Sequence, residues 1–469
     1  MQVAGELEPL IARLRLICGE QHVLADRAAL APYRSDAQRR ERALPAAAVL
    51  PGSPIEVASV VRACAETAVP FVARGAGTGL AGGAVPIDDG ILIVLSRMRG
   101  LVDVDLEQGL LVAEAGASAR AIGRALAPSH WFPAAPSNDA ATIGGIVATG
   151  GGGPRSLKYG PVRRHLAGLD VVLSDGSQVQ LRDTEPGADL VGAFTGSEGT
   201  LGIATVVHLH ARPAPPEVRV AVAQFDDPIG AAESAMAIIA AGVEPVALEL
   251  MDGRALEISA QATKHAPGRP ATADARLPTA GAALLIELDG SPEQCDAAEA
   301  ALTEALAATA GDELLIVTDV AERERIWRAH TAALAGLGHA ASGFSLHDPA
   351  VAPARLTEFL DRMRALVADA KLDFAMTARP AEGIVHPIVL YDVRVPGEAT
   401  RARVLGDAIL EACIDIGGTV SAEHGTGGIV HQAFGALFSD ADLDAFARLR
   451  SAFDPSGLAN PGRGAAWRP

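Results

Sequence analysis

Cysteine is scarce in this chain. There are four in 469 residues, Cys18, Cys64, Cys295 and Cys413, far apart and with no CxxC pair. That pattern gives no support to a disulfide framework, a cysteine zinc site or a chain-borne iron–sulfur cluster, and a reducing cytoplasm suits it. Positive charge is also in deficit, with 39 Lys and Arg against 57 Asp and Glu and a net charge of -18. Such a surface repels phosphate backbones and anionic membranes, which excludes nucleic acid as an expected partner. Lysine itself is reduced to Lys158, Lys264 and Lys371, a bias without a mechanistic message. No uninterrupted apolar run reaches the roughly eighteen residues of a membrane span. The opening MQVAGELEPLIARL breaks its apolar run with Glu6 and Glu8 and lacks a basic leader, so no signal peptide is expected. A soluble, cytoplasmic protein is the expectation.

What is present is an ordinary globular composition, 49% apolar and 20% charged with 49 glycines, which puts collagen-like, disordered and coiled-coil classes out. At about 150 residues per domain, the length predicts about three units. A helical lead-in covers 1–40, where LEPLIARLRLI places apolar residues at helical spacing. Then AAVLP, PIEVASVVRACAETAV and PFVAR read as strand, helix and strand, with Val57, Val60, Val61 and Cys64 on one helical face. GILIVL, GLLVAEAG and LDVVLSDGSQVQL follow as strands, the last with Asp175-Gly176 as a two-residue hairpin turn. Pro213, Pro215 and Pro216 end this α/β region near 212. Beyond them VRVAVAQF and ALLIELDG alternate with Ala-rich helices, and 264–278 reads as a loop.

Glycine is concentrated where chemistry is expected. Arg74-Gly75-Ala76-Gly77-Thr78-Gly79-Leu80-Ala81-Gly82-Gly83 follows a predicted strand, and its missing side chains let backbone N–H groups approach an anion. A phosphate-bearing cofactor is the natural guest; a tight connection with no guest is the competing reading. Gly82-Gly83-Ala84-Val85-Pro86 breaks any following helix, which disfavours a Rossmann NAD site. A second loop, Pro136-Ser137-Asn138-Asp139-Ala140-Ala141-Thr142-Ile143-Gly144-Gly145, runs into Gly150–Gly153, and a third spans Thr195–Gly202. Several such loops in one region suggest one large ligand. Near the C-terminus stands Ser421-Ala422-Glu423-His424-Gly425-Thr426-Gly427, a carboxylate beside an imidazole. A histidine taken alone reads more readily as a hydrogen-bonded structural group. His208 and His210 share one strand face without a third ligand and read as surface residues.

Together, RGAGTGLAGG, APSNDAATIGGIVATGGGG, LKYGPVRRHLAGLDVVLSDG and GSEGTLGI resemble the FAD-binding domain of vanillyl-alcohol-oxidase (PCMH-type) flavoproteins. The branch they are most similar to is the FAD-linked D-lactate, glycolate and D-2-hydroxyglutarate dehydrogenases, over nearly the whole chain. The resemblance implies an α+β architecture: a two-lobed FAD-binding domain at 41–212, a cap with an antiparallel sheet flanked by helices at 213–415, and a tail, 416–469, returning to the flavin domain. It implies that Arg74, Gly75, Ala76, Gly77, Thr78, Gly79 and Leu80 hold the FAD pyrophosphate. Pro136, Ser137, Thr142, Gly144, Gly145, Tyr159, Gly160, Ile203 and Asn460 would line the rest of the cofactor. Thr78 stands where some members tether the flavin through histidine, and the second loop has no cysteine, so noncovalent FAD is expected.

The same resemblance makes His424 the general base on a substrate hydroxyl and Glu423 a metal ligand. Ala378–Pro387 resembles the family's GHxGDGNLHP but keeps only His386; Arg379 replaces the first histidine and Ile384 the asparagine. His386 and Glu423 are then the two remaining ligands for a divalent metal, and a guanidinium stands where a third should be. Arg379 is expected to supply positive charge to an acidic substrate directly. His330 occupies the position of the family's carboxylate-gripping arginine after Trp327, and Arg328 faces elsewhere on a helix. Val430 replaces a family lysine, beside His431. The resemblance therefore implies an FAD-dependent 2-hydroxy-acid dehydrogenase. Two other readings stay open: an FAD enzyme for a neutral or bulky alcohol without metal, and a flavin-binding subunit of a larger redox complex with an iron–sulfur partner. The expected partners are a small-molecule substrate, an unidentified electron acceptor and a second copy in a homodimer.

Overall fold

A computed structural model describes residues 3–38, 42–184, 186–264, 277–278, 281–307, 314–428 and 433–464, with side chains from residue 7 onward. Most of the loop expected over 264–278, and the Val430 and His431 substitutions, lie outside the described residues. The chain divides into two compact units. The first comprises 1–153, 160–214 and 423–469, and the second 154–159 and 215–422.

In the first unit the helix Val3–Cys18 buries Leu10, Leu14 and Cys18 at four-residue spacing. Ser53 starts the next helix, Pro54–Glu66, by accepting from the Glu56 N–H, with proline at its first position. The face predicted from periodicity, Val57, Val60, Val61 and Cys64, is buried. This helix connects Ala47–Val49 to Phe71–Arg74, and both strands run parallel to Ile91–Val94, which lies between them. A short antiparallel edge, Val23–Leu24, completes four strands. A separate antiparallel sheet orders Leu101–Asp105, Leu110–Glu114, Ile203–His210, Leu166–Val172 and Gln178–Arg182. The expected two-residue turn at Asp175-Gly176 is instead a five-residue connection closed by Leu173 N–H donating to Ser177 O. Within it Gly176, at φ +81, donates its N–H to Leu173 O across Ser174 and Asp175, and Asp175 accepts from both the N–H and the hydroxyl of Ser177. Arg212–Pro213 pairs with His130–Trp131 before the chain leaves this unit.

The second unit is built on one seven-stranded sheet, ordered Leu314–Val317, Glu217–Phe225, Ala282–Gly290, Ala247–Asp252, Asp373–Arg379, Ile384–Tyr391 and Gly343–Leu346. Every neighbouring pair is antiparallel. Side chains alternate across a strand, so register decides which residues share a face. Leu250 pairs with Ala378, and Ala378 with Val385. These three, with Leu248, Ile286, Met376 and Val389, join the core formed with the helices Pro228–Ala240, Pro292–Ala307, Leu356–Ala370 and Glu398–Asp415. The intervening residues Glu249, Glu287, Thr377, Arg379 and His386 point to the other face. One sheet thus separates a dry, helix-covered side from a polar one.

Phe359 sits at the centre of the dry side and is fully buried. Phe359→Ala is expected to destabilise the second unit by about 3–5 kcal/mol, the range for an aromatic truncation in a closed core. Val404→Ala on the exposed side of the neighbouring helix should stay within about 0.5 kcal/mol. Urea unfolding followed by far-UV circular dichroism distinguishes the two.

Candidate active site

The glycine loop of the first unit leaves the end of Phe71–Arg74. Arg74 is buried, and its guanidinium lies against Gly77 while one nitrogen donates to Ser35 O at 2.9 Å and Ala84 O at 3.0 Å. One cation therefore closes the loop at its base. Asp36 accepts from the Gly82 N–H at 2.8 Å and fixes its far end. Gly77 adopts φ +71, which requires glycine. Thr142 lies against the loop so closely that a Cβ on Gly75 would come within 2.0 Å of its Oγ1. No protein atom lies within 4 Å of the Cβ position at Gly79. The result is a backbone cradle with open space beside it and a buried positive charge behind it, which fits a diphosphate.

The His424 turn packs on the same loop. Gly427 takes φ +47, and a Cβ there would overlap Ala81 O at 1.7 Å. Glu198, from the third glycine-rich segment, accepts from Thr426 N–H at 2.7 Å and Gly427 N–H at 2.6 Å, and from the Thr426 hydroxyl. Asn460 donates from Nδ2 to Gly83 O at 3.0 Å and Glu198 O at 2.7 Å. His424 Nε2 lies 3.6 Å from Glu423 Oε1. The first unit thus brings together Arg74–Leu80, Thr142, Asn460 and His424. Ile203 begins a strand, and its side chain is buried in the core with Phe71 and Val172. Asn460 spends its amide on two backbone carbonyls.

On the polar face of the second unit, Arg379 and Glu249 stand opposite each other on adjacent strands, with Arg379 Nε 2.9 Å from Glu249 Oε1. His330, from the helix Val320–Ala335, brings Nε2 to 3.3 Å from Glu249 Oε2. Burial alone would push the Glu249 carboxyl up. The Arg379 charge, the His330 hydrogen bond and charge, and the His386 charge outweigh it and hold the carboxyl at about 2. Arg379 is therefore one half of a buried ion pair, and its partner is Glu249, on the neighbouring strand. Next to it, His386 is paired in register with Thr377 and places Nε2 3.3 Å from Asp348 Oδ1. Asp348 Oδ2 accepts from Ser421 Oγ at 3.1 Å and Ala422 N–H at 2.9 Å.

Tyr159 is placed in the second unit, and its hydroxyl donates to Asp289 at 2.6 Å, alongside Lys158 Nζ on the same carboxylate. Trp327 donates from its indole to Glu287 at 2.6 Å, and Arg155 grips the same Glu287 with two nitrogens. Gly160, Pro136, Ser137, Gly144 and Gly145 belong to the first unit. His208 and His210 pair with Asp170 and Asp183 on the five-stranded sheet. Sequence reasoning missed Glu198, Glu249 and Asp348. A charged residue inside an apolar strand, as in ALELMD, is the one signal that marked Glu249.

Because the folded Glu249 value lies below the ordinary carboxylate value of about 4.3, the pair contributes its full stabilisation above about pH 5 and loses it as pH falls toward 2. Arg379→Met leaves a buried carboxylate without its cation and should cost about 3–5 kcal/mol at pH 7. In that variant the carboxyl rises, so the loss should shrink at pH 4.5, and adding Glu249→Gln should recover most of it. Urea titrations of the four proteins at both pH values test the cycle.

Family models and known proteins match this chain throughout. The model described as "FAD linked oxidases, C-terminal domain" matches residues 214–463, and "FAD binding domain" matches 45–182. The glycolate oxidase subunit GlcD of Escherichia coli is 34% identical over 92% of this chain and 86% of its own. The same-named protein of Bacillus subtilis is 30% identical over 92% and 91%, and a D-lactate dehydrogenase of Archaeoglobus fulgidus 27% over 88% and 90%. The solved 4-ethylphenol oxidase from Gulosibacter chungangensis superposes with a TM-score of 0.83 at 17% identity, over 99% of this chain and 98% of that one. p-Cresol methylhydroxylase gives 0.81 at 19% over 99% and 97%, so both share the fold. With the diphosphate cradle, the EHG turn packed on it and a cap matched along its length, the chain belongs to the FAD-linked oxidases and is an FAD-dependent oxidoreductase.

Proposed function

We propose that this flavoprotein oxidises a small 2-hydroxy acid of the glycolate or D-lactate kind to the 2-oxo acid. The observation that carries the reading is the packing of the His424 turn on the glycine loop through Gly427 and Ala81. FAD, held by Arg74, the 75–80 loop and Thr142, supplies the two-electron acceptor when bound. His424 takes the proton of the substrate hydroxyl, with Glu423 Oε1 3.6 Å from its Nε2. Arg379, its Nε fixed and its charge balanced by Glu249, is the residue we assign to the carboxylate of an acidic substrate, as a hydrogen-bond donor. A divalent metal, if the reaction uses one, would take His386, with Asp348 as the carboxylate beside it.

The relatives named as glycolate oxidase subunits support a second reading, in which a partner accepts the electrons. Among the described residues no helix is long and apolar enough to cross a membrane.

The test is anaerobic bleaching of the FAD-loaded protein by D- and L-2-hydroxy acids and by neutral alcohols, with and without chelator. Reduction by one hydroxy acid, abolished in His424→Gln, is expected. Chelator sensitivity would assign a metal to His386, and insensitivity a metal-free site. Bleaching by neutral alcohols alone would overturn the acid assignment. FAD should leave the unfolded chain free in solution, since no residue of the loop tethers it.

A further inference from the structure

Glu198 is a buried acid that nothing in the proposed reaction uses. Its carboxylate is 8% exposed, and its recorded donors, Thr426 N–H, Thr426 Oγ1 and Gly427 N–H, are all neutral. A carboxylate taken out of water costs several kcal/mol, and only convergent donors offset that. The backbone is equally constrained. Glu198 adopts φ +53, uncommon for a residue with a side chain, while its N–H donates to Ala148 O at 2.8 Å and its carbonyl accepts from Asn460 at 2.7 Å. Strain and a buried charge at one residue persist only where the surroundings over-determine them. These three donors lie two and three residues beyond His424.

We infer that Glu198 is a positioning residue for the oxidation: its carboxylate fixes the turn that carries His424, and so sets the direction of the imidazole. The inference rests on the reading of His424 as the base. Two oxygens are needed, because one takes both Thr426 donors and the other takes Gly427. Glutamine keeps the shape but offers a single acceptor and turns an NH2 toward an N–H. The Thr426 hydroxyl is one strand of the same clamp, and serine in its place preserves it.

The experiment uses the FAD-loaded full chain and two readouts. Deuterium exchange on the peptide covering 420–428 is expected to speed up by about tenfold or more in Glu198→Gln, with the 75–83 loop unchanged. Stopped-flow reduction by the hydroxy acid that bleaches the native protein should show the limiting rate falling about 10–100-fold in Glu198→Gln, while the half-saturating concentration changes less than about threefold. Thr426→Val should lose about 3–10-fold, and Thr426→Ser should restore the rate. Flavin content and visible spectrum should match the native protein. Unchanged exchange, native rates, or a loss that only follows lost FAD would overturn the inference. Native rates in His424→Gln would instead remove the base assignment and leave the exchange result to judge the clamp.

Discussion

The ion pair between Arg379 and Glu249 decides which side of the seven-stranded sheet can hold chemistry. The two residues sit opposite each other on neighbouring strands, and both are nearly inaccessible to water. Neither charge would tolerate that burial alone. Because strand side chains alternate, placing this pair on one face also places Thr377, His386 and Glu287 there, and sends Met376, Ala378 and Val385 into the helix-covered core. A slip of one residue would bury a guanidinium among leucines and expose the core. The register of the sheet and the location of the polar site are thus a single fact.

Three of the buried carboxylates, Glu249, Glu198 and Asp348, are compensated in different ways. Glu249 is held by charge. Glu198 is held by neutral N–H and O–H donors, and Asp348 by Ser421, Ala422 and the imidazole of His386. Charge compensation tolerates some misalignment, whereas neutral donors must point correctly. The carboxylate beside the His424 turn therefore enforces geometry, and the one under Arg379 enforces electroneutrality.

Much of this was readable from sequence because the signals are local. Glycine clusters marked the loop at 75–83, helical periodicity marked Pro54–Glu66, and the EHG triplet marked the turn that packs on that loop. Arg379 was recognised as a departure, but its partner lies 130 residues away, and no local pattern announces a pairing across strands. Glu198 was hidden for the same reason, inside a motif whose glycines attracted the attention. The segment around Tyr159 has contacts that its motif did not announce. It belongs to a flavin-domain signature, yet Lys158 and Tyr159 bind Asp289, and Leu157 packs into the core of the other unit. At Asp175-Gly176 the turn's centre falls one residue earlier, on Ser174 and Asp175, because Gly176 takes the left-handed position that follows them.

The path of the chain through its two units has a consequence for its birth on the ribosome. The strand that launches the glycine loop is completed by residues made almost four hundred positions later, where Phe71 exchanges backbone hydrogen bonds with Leu458 and Asn460. The second unit, apart from the short 154–159 strap, is finished by residue 422. Vectorial synthesis therefore delivers the whole of the second unit before the last segment of the first, and the strand Phe71–Arg74 gains its Leu458 and Asn460 partners only at the end of translation.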